Sequence, residues 1–266
     1  MRRSPLPPIK SLLAVLLLVT AAPAVAQTPE EQGHAIAVEA DRRDTGWGDA
    51  TVNLKMTLKN AHGDVSTRAL RNRLLEQPQE GDKSLIVFDD PADVKGTALL
   101  TYSYKTAADD QWLYLPALKR VKRIASNNKA GPFMGSEFAY EDLSSPEVEK
   151  FRYRYVGEES LEGEDCFVIE RFPVDADSGY TRQVAWLDKA HYRVRKVDFY
   201  DRKESLLKTL TASGYQQYQD KYWRAGELSM VNHQTGKSTV LSFSDYRFGT
   251  GLGPRDFDRN SLEKVR

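Results

Sequence analysis

The feature that most constrains the fold is an alternation of apolar and polar residues with a period of two. In residues 51–59, Val52, Leu54, Met56 and Leu58 alternate with Asn, Lys and Thr residues. This pattern is typical of a strand with one buried face. Short segments of similar character follow at even spacing toward the C-terminus, separated by short polar turns. The pattern predicts an antiparallel meander that closes toward a barrel, and not a parallel α/β sheet.

The strands can be placed from this pattern and from the turn residues between the segments. We predict strands at residues 51–59, 65–75, 85–88, 97–104, 112–115, 120–124, 151–155, 167–172, 182–187, 193–200, 206–215, 226–233 and 238–248. An N-terminal helix is predicted at residues 28–44, because Thr28 and Glu31 match a capping box and Pro29 suits the first helical position. At the other end, Phe257 and Leu262 are expected to pack the C-terminal tail onto the sheet.

Residues 1–26 have the pattern of a secretory signal peptide. A positive start, an apolar stretch and a small-residue cleavage pattern follow one another, given by Arg2, Arg3 and Lys10, by residues 12–19 and by residues 24–26. We expect cleavage between Ala26 and Gln27, export to a bacterial periplasm, and a mature chain of one domain over residues 27–266. The apolar stretch is too short to span a membrane comfortably, so we do not expect a membrane-spanning protein.

The charge and cysteine content narrow the function further. The whole chain has 38 basic and 38 acidic residues, and the predicted signal peptide removes only bases. A nearly neutral chain gives no electrostatic case for nucleic-acid binding. Cys166 is the only cysteine. It is predicted to be a small buried side chain in a strand, and no internal disulfide can form. We expect a monomer.

We find no sequence pattern for catalysis or metal binding. The residues considered are His34, His62, His191, His233, Ser136, Asp89, Asp90 and Asp93. The histidines lack metal-ligand spacing. The sequence around Ser136 lacks the glycines of a nucleophile elbow, and the aspartates fit a turn. We therefore predict no catalytic residue, no metal site and no cofactor, and we do not expect an enzyme.

The stretch from residue 110 to residue 143 combines large apolar side chains with a dense group of cations. A strand at residues 112–115 ends at Pro116, and a second strand carries most of the cations, which are Lys119, Arg120, Lys122 and Arg123. Residues 133–143 are predicted to form a short helix with Ser136 as its N-cap.

The run WLYLPALKRVKRI, followed by FMGSEFAYEDL, closely resembles the LolA-like outer-membrane lipoprotein-sorting proteins of the periplasm. Similar sequence continues on both sides, including FDDPADVKGTALLTYSYK, so the resemblance covers nearly all of the mature chain. It implies a strongly curved, incompletely closed β-barrel of α+β class. The N-terminal and mid-chain helices would lie over a concave face that holds acyl chains. It also implies docking to an inner-membrane transporter, of RND type in this branch.

Two groups of residues are candidates for binding. The first could line an apolar cavity or fill an ordinary core, and consists of Trp112, Tyr114, Phe133, Met134, Phe138, Tyr140 and Trp186. The second is the cationic group, Lys119, Arg120, Lys122 and Arg123, which could meet anionic headgroups or an acidic partner, or could simply be a solvated strand pair.

The preferred hypothesis is a periplasmic carrier that binds the acyl chains of lipids or lipoproteins and moves them between the inner and outer membranes. The alternative is a periplasmic lipid-sensing regulatory module of the same fold that contacts a signalling partner. A carrier must release its ligand to an acceptor, whereas a sensor needs only a surface that changes with the ligand.

Overall fold

The computed structural model describes residues 27–264, so the predicted signal peptide lies outside the described residues. The described chain starts with helix α1 (Pro29–Asp44) and continues mainly as strands. The strands are β1 (Asp49–Lys59), β2 (Val65–Leu75), β3 (Lys83–Asp90), β4 (Ala98–Tyr102), β5 (Asp110–Leu115), β6 (Arg120–Arg123), β7 (Phe151–Leu161), β8 (Glu164–Pro173), β9 (Arg182–Asp188), β10 (Val194–Tyr200), β11 (Leu206–Ser213), β12 (Gln216–Tyr218), β13 (Tyr222–Arg224), β14 (Glu227–Asn232) and β15 (Ser238–Phe248).

Thirteen of these strands form a continuous antiparallel sheet in the order β6-β5-β4-β3-β2-β1-β15-β14-β11-β10-β9-β8-β7. Strand β1 pairs with both β2 and β15, so it joins the two meanders of the chain into one surface. The sheet is strongly curved, and it stays open between its two edge strands, β6 and β7. This architecture confirms the predicted antiparallel, incompletely closed barrel.

The period-two pattern decides which side chains face the concave side. In β1, Val52, Leu54 and Met56 are buried while Asn53 and Lys55 are less covered. Side chains from both halves of the sheet meet the concave core in the same way, since successive residues of a strand point to opposite faces. Strands β12 and β13 form a separate hairpin that the sequence pattern did not predict. Each has only three residues, too few to show an alternation.

A second apolar cluster lies on the convex face, where the C-terminal tail covers the sheet. Phe257 and Leu262 are almost completely buried and pack against Leu85, Leu100 and Trp112. Tyr102 fixes the tail further, because its hydroxyl donates a hydrogen bond to the backbone carbonyl of Phe257. The expected packing of the tail is therefore confirmed.

Residues 133–143, called here the crossing segment, pass over the concave face. In place of one short helix they form two 3₁₀ turns, Phe133–Gly135 and Tyr140–Leu143. Met134 and Gly135 both have positive φ, which reverses the chain. Ser136 is therefore not an N-cap. It is buried, and its hydroxyl bonds to the backbone of Phe138.

The crossing segment is held by polar contacts with strands from both halves of the sheet. Lys208 Nζ of β11 donates to Glu137 O at 2.9 Å and to Asp142 Oδ2 at 2.7 Å. From β2, Arg68 Nη1 donates to the carbonyl of Met134 at 2.6 Å. Gln111 of β5 donates to the carbonyl of Tyr140 at 2.8 Å. Contacts at both ends fix the segment as a rigid wall over the sheet.

Helix α1 starts at the predicted capping box, in which Thr28 and Glu31 bond each other's backbone N–H. The helix packs directly on β7 at the open side of the barrel. Gly33 makes this approach possible, because a Cβ there would lie 2.7 Å from Tyr155 N and 2.8 Å from the carbonyl carbon of Arg154. The glycine is therefore a packing requirement of the helix–strand contact.

We predict that Gly33→Ala destabilises the protein. In an exposed helix interior this change usually stabilises by about 0.5–1 kcal/mol. Here the added methyl group has no room, so we expect a loss of about 1–3 kcal/mol in the free energy of unfolding, measured with urea. The control is Val38→Ala, on the exposed face of the same helix. It should change stability by about 0.5 kcal/mol or less, and an equal effect from both variants would contradict the packing argument.

Candidate functional site

A cavity of about 1020 Å³ lies between the concave face of the sheet, the crossing segment and the C-terminal end of α1. This volume is at the upper end of the roughly 300–1,000 Å³ that is usual for small-molecule sites. Its floor is apolar and draws on both meanders, with lining residues that include Leu54, Met56, Leu70, Ile86, Ile169, Leu187, Leu228, Leu241 and Phe243. The curvature of the sheet thus leaves an apolar space that its own side chains do not fill.

Two of the predicted cavity residues, Phe133 and Phe138, do line this space. Both are tightly packed wall residues, with exposed fractions of 0% and 3%. The Phe133 ring lies 5.6 Å from the Phe88 ring and 5.6 Å from the Tyr140 ring. Met134 and Tyr140 are half-buried in the same core but are not part of the cavity wall. The crossing segment therefore forms one wall with its phenylalanines, while Met134 and Tyr140 support them.

Trp112, Tyr114 and Trp186 lie on the convex face, so the expectation that they line the cavity is wrong. Trp112 and Tyr114 belong to the cluster under the C-terminal tail. Trp186 packs with Cys166 and Val168 on the far half of the sheet, and its Nε1 donates to Glu159 at 2.7 Å. In β5 and β9 the concave positions are taken by their neighbours, such as Leu113 and Leu187, because adjacent residues alternate between faces.

One end of the cavity is acidic. Asp82 and Glu147 both line it, and Glu147 is buried. Burial raises the pKa of the Glu147 carboxyl, and the nearby Asp82 carboxylate adds to the effect. The pKa of Asp82 is also raised by burial, although it accepts hydrogen bonds from Gln77 N at 3.0 Å and Ser145 Oγ at 3.1 Å. Burial therefore disfavours the charged form of both carboxylates, and Lys105 and Lys150 partly offset this effect at Glu147.

The β12–β13 hairpin covers the cavity near the C-terminal end of α1, a part of the site that sequence reasoning missed. Trp223 lines the cavity and lies under the Arg193 guanidinium, 4.6 Å from its carbon to the ring centroid. Lys221 Nζ donates to the carbonyl of Thr45 at 2.6 Å, and Arg224 pairs with Asp44. The sequence does contain a local signal for this hairpin, because aromatic residues flank a polar turn between Gly214 and Gly226.

The four cations Lys119, Arg120, Lys122 and Arg123 are exposed on the β5–β6 hairpin and do not line the cavity. Arg123 pairs with Asp110. Beside these cations, Leu118 is 67% exposed at the tip of the hairpin. The hairpin is therefore a charged projection with an apolar tip at one edge of the sheet.

Comparison with known proteins places this fold. A family model described as an uncharacterized protein matches residues 80–264. The structure of an outer membrane lipoprotein-sorting protein domain from Vibrio parahaemolyticus is 60% identical, with a TM-score of 0.87 over 88% of this chain and 99% of that one. This chain belongs to the family of outer membrane lipoprotein-sorting proteins.

Two further solved structures are similar to this chain. A DUF1329 family protein from Desulfovibrio piger is 33% identical, with a TM-score of 0.84 over 89% of this chain and 100% of that chain. A LolA superfamily protein from Nitrosomonas europaea shares the fold at 20% identity, with a TM-score of 0.69 over 88% of this chain and 99% of that chain. Among curated proteins, no match is found.

The histidines and the single cysteine of the chain lie outside the cavity floor described above or on the surface. His34, His62, His191 and His233 are all exposed. Within residues 27–264 no cluster of side chains has the composition and proximity of a metal site. Cys166 is fully buried, as predicted, and burial raises the pKa of its thiol. In the same range no helix is both long and apolar enough to cross a bilayer.

We predict that Glu147→Gln stabilises the protein at neutral pH. The pKa of Glu147 is raised in the folded state. At a pH between the ordinary and the raised pKa, Glu147 is therefore protonated more often in the native protein than in the unfolded chain. Stability must then fall as pH rises through that window. The glutamine variant should have the higher free energy of unfolding in urea near pH 7, and this gain should shrink below the ordinary glutamate pKa of about 4.3.

The matched control is Glu149→Gln, which changes an exposed carboxylate two residues away that lies 3.9 Å from Lys105. This control should give no stabilisation at neutral pH. A Glu147→Gln variant that is less stable than the unmodified protein at pH 7 would show that its charge has a favourable role in the fold.

Proposed function

We propose that this protein is a periplasmic carrier that holds the acyl chains of lipids or lipoproteins in the concave cavity and moves them between the inner and outer membranes. The observation that carries the proposal is the apolar cavity of about 1020 Å³ in a chain of the lipoprotein-sorting family. An acyl chain gains about 0.8 kcal/mol for each CH₂ group removed from water. A protein that covers the chain therefore lowers the cost of crossing an aqueous compartment.

The proposal includes export through the signal peptide at residues 1–26 and a mature chain that acts as one domain. It includes no catalytic step and no cofactor. The apolar floor and the packed phenylalanines of the crossing segment suit a ligand held by dispersion and burial, which need no reactive group.

The exposed hairpin is the proposed contact with the membrane surface. Lys119, Arg120 and Lys122 have no carboxylate partner among the ion pairs of residues 27–264, and Leu118 offers an apolar tip. Each cation near an anionic surface is worth about 1 kcal/mol. We propose that this hairpin meets anionic headgroups while cargo is loaded by an inner-membrane transporter of RND type.

The cavity proposal predicts that Leu228→Trp weakens ligand binding. Leu228 lines the cavity from β14 and is half-buried, so a larger ring at this position occupies the ligand space. We expect at least about a tenfold loss of affinity for a fluorescent fatty acid, measured by titration. The same ligand should raise the melting temperature of the unmodified protein more than that of the variant.

The control is Val231→Trp, three residues along the same strand and 41% exposed. It should bind the fatty acid like the unmodified protein. Absence of fatty-acid binding in the unmodified protein, together with absence of co-purified lipid in native mass spectra of protein taken from its own periplasm, would refute the carrier proposal.

The hairpin proposal predicts weaker membrane binding when Lys119, Arg120, Lys122 and Arg123 are all replaced by Gln. Binding to anionic phosphatidylglycerol vesicles, measured by sedimentation, should fall at low salt. The difference should shrink as salt rises, because exposed charges act over about 8–10 Å at physiological ionic strength.

A second variant with the same change of charge tests whether position matters. It replaces four exposed lysines elsewhere, Lys55, Lys59, Lys203 and Lys237, by Gln. Equal losses in the two variants would mean that net charge alone controls the binding. Loss of transporter binding without loss of vesicle binding would assign the hairpin to the protein partner instead.

A further inference from the structure

Arg171 is a cation in the wall of the apolar cavity. It lies on the concave face of β8, two residues beyond Ile169, and both side chains line the cavity. Its Nε is buried and has no hydrogen-bond partner. The guanidinium carbon lies 5.3 Å from the centre of the Phe151 ring. Burial lowers the pKa of this guanidinium.

Several other cations of the sheet that are largely covered have carboxylate partners. Lys208 pairs with Asp142 at 2.7 Å, and Arg193 pairs with Asp188 at 2.7 Å. Arg71 and Arg195 also have buried nitrogens without a hydrogen bond. They nevertheless have carboxylates nearby, since Arg71 is 3.6 Å from Asp89 and Arg195 contacts Glu164.

Arg171 differs from these four cations. Among the ion pairs within residues 27–264, none includes it. Arg171 is half-buried, and a cation that is partly removed from water without a partner is costly, so proteins usually pair it or coordinate it. Its position at the cavity wall means that a molecule in the cavity can supply the missing negative charge.

The rest of the cavity defines what kind of molecule this is. Ile169 lies beside Arg171 on the same face, and Leu187 follows on the next strand. An amphiphile with one anionic end satisfies both features, because its chain covers the apolar floor while its head reaches the guanidinium.

We infer that Arg171 binds the anionic head group, a carboxylate or a phosphate monoester, of an acyl ligand held in the cavity. This inference rests on the proposed function and adds the head-group chemistry to it. A guanidinium has a planar set of donors that matches either anion in a bidentate arrangement. The acyl chain then extends from Arg171 over Ile169 toward the centre of the cavity.

The test compares three ligands with the same chain and different heads. Palmitic acid, cetyl phosphate and the uncharged cetyl alcohol each compete with a bound fluorescent fatty acid. We expect the unmodified protein to bind at least one of the two anions about tenfold or more tightly than the alcohol. In Arg171→Met this preference should disappear, while binding of the alcohol is kept. The anion that binds more tightly identifies the head group as carboxylate or phosphate.

Arg152→Met is the matched control, because Arg152 is an exposed arginine on the adjacent strand β7. It should keep the full preference for anions. The empty Arg171→Met protein should be at least as stable as the unmodified one, since it loses an unpaired buried charge. A purely structural arginine would give the opposite result, a clear fall in melting temperature with an unchanged preference.

The outcomes separate this inference from the carrier proposal. If the unmodified protein binds all three ligands equally, or if Arg171→Met keeps the preference, the head-group inference is wrong and the carrier proposal stands. If the unmodified protein binds none of them and also carries no co-purified lipid, the carrier proposal itself fails. Arg171→Gln provides a second uncharged variant, and a folded Gln variant with an unchanged preference also overturns the inference.

Discussion

The buried contact between Asp142 and Lys208 is the interaction on which the cavity depends. Their side chains are 6% and 4% exposed, and Nζ lies 2.7 Å from Oδ2. Asp142 also accepts hydrogen bonds from Ala139 N and the Tyr180 hydroxyl. Removing one partner of such a pair leaves an uncompensated charge and costs about 3–5 kcal/mol. The pair therefore holds the crossing segment in one position, and Phe133 and Phe138 are held with it.

A fixed wall explains why the concave face remains open to a ligand. A flexible segment would settle into the space, whereas a segment bonded to β2, β5 and β11 cannot move inward without breaking buried polar contacts. Lys208 and Arg171 are two cations of the sheet with different surroundings. Lys208 has its carboxylate within the chain and builds the cavity. Arg171 lacks one, and in the proposed carrier the head group of the ligand supplies it.

The sequence was sufficient for the antiparallel strands, the α1 capping box and the tail contacts of Phe257 and Leu262, since each follows from local spacing. It was not sufficient for the cavity. Alternation shows that Trp112 and Leu113 face opposite sides, but only the curvature of the whole sheet decides which side is concave. Trp112 was predicted to line the cavity because its side chain is large, but Leu113 is the residue that lies in the concave core. The role of Arg171 depends on the absence of a nearby carboxylate, which no local pattern reveals.

The open barrel also accounts for the different character of its two edges. An exposed edge strand invites pairing with another chain, and proteins commonly prevent this with charged side chains or with a covering element. At β7, α1 packs against the strand through Gly33. At β6, the exposed Arg120, Lys122 and Arg123 provide the charge. The cations proposed to meet the membrane thus have a second physical role, because an open barrel has edge strands to protect.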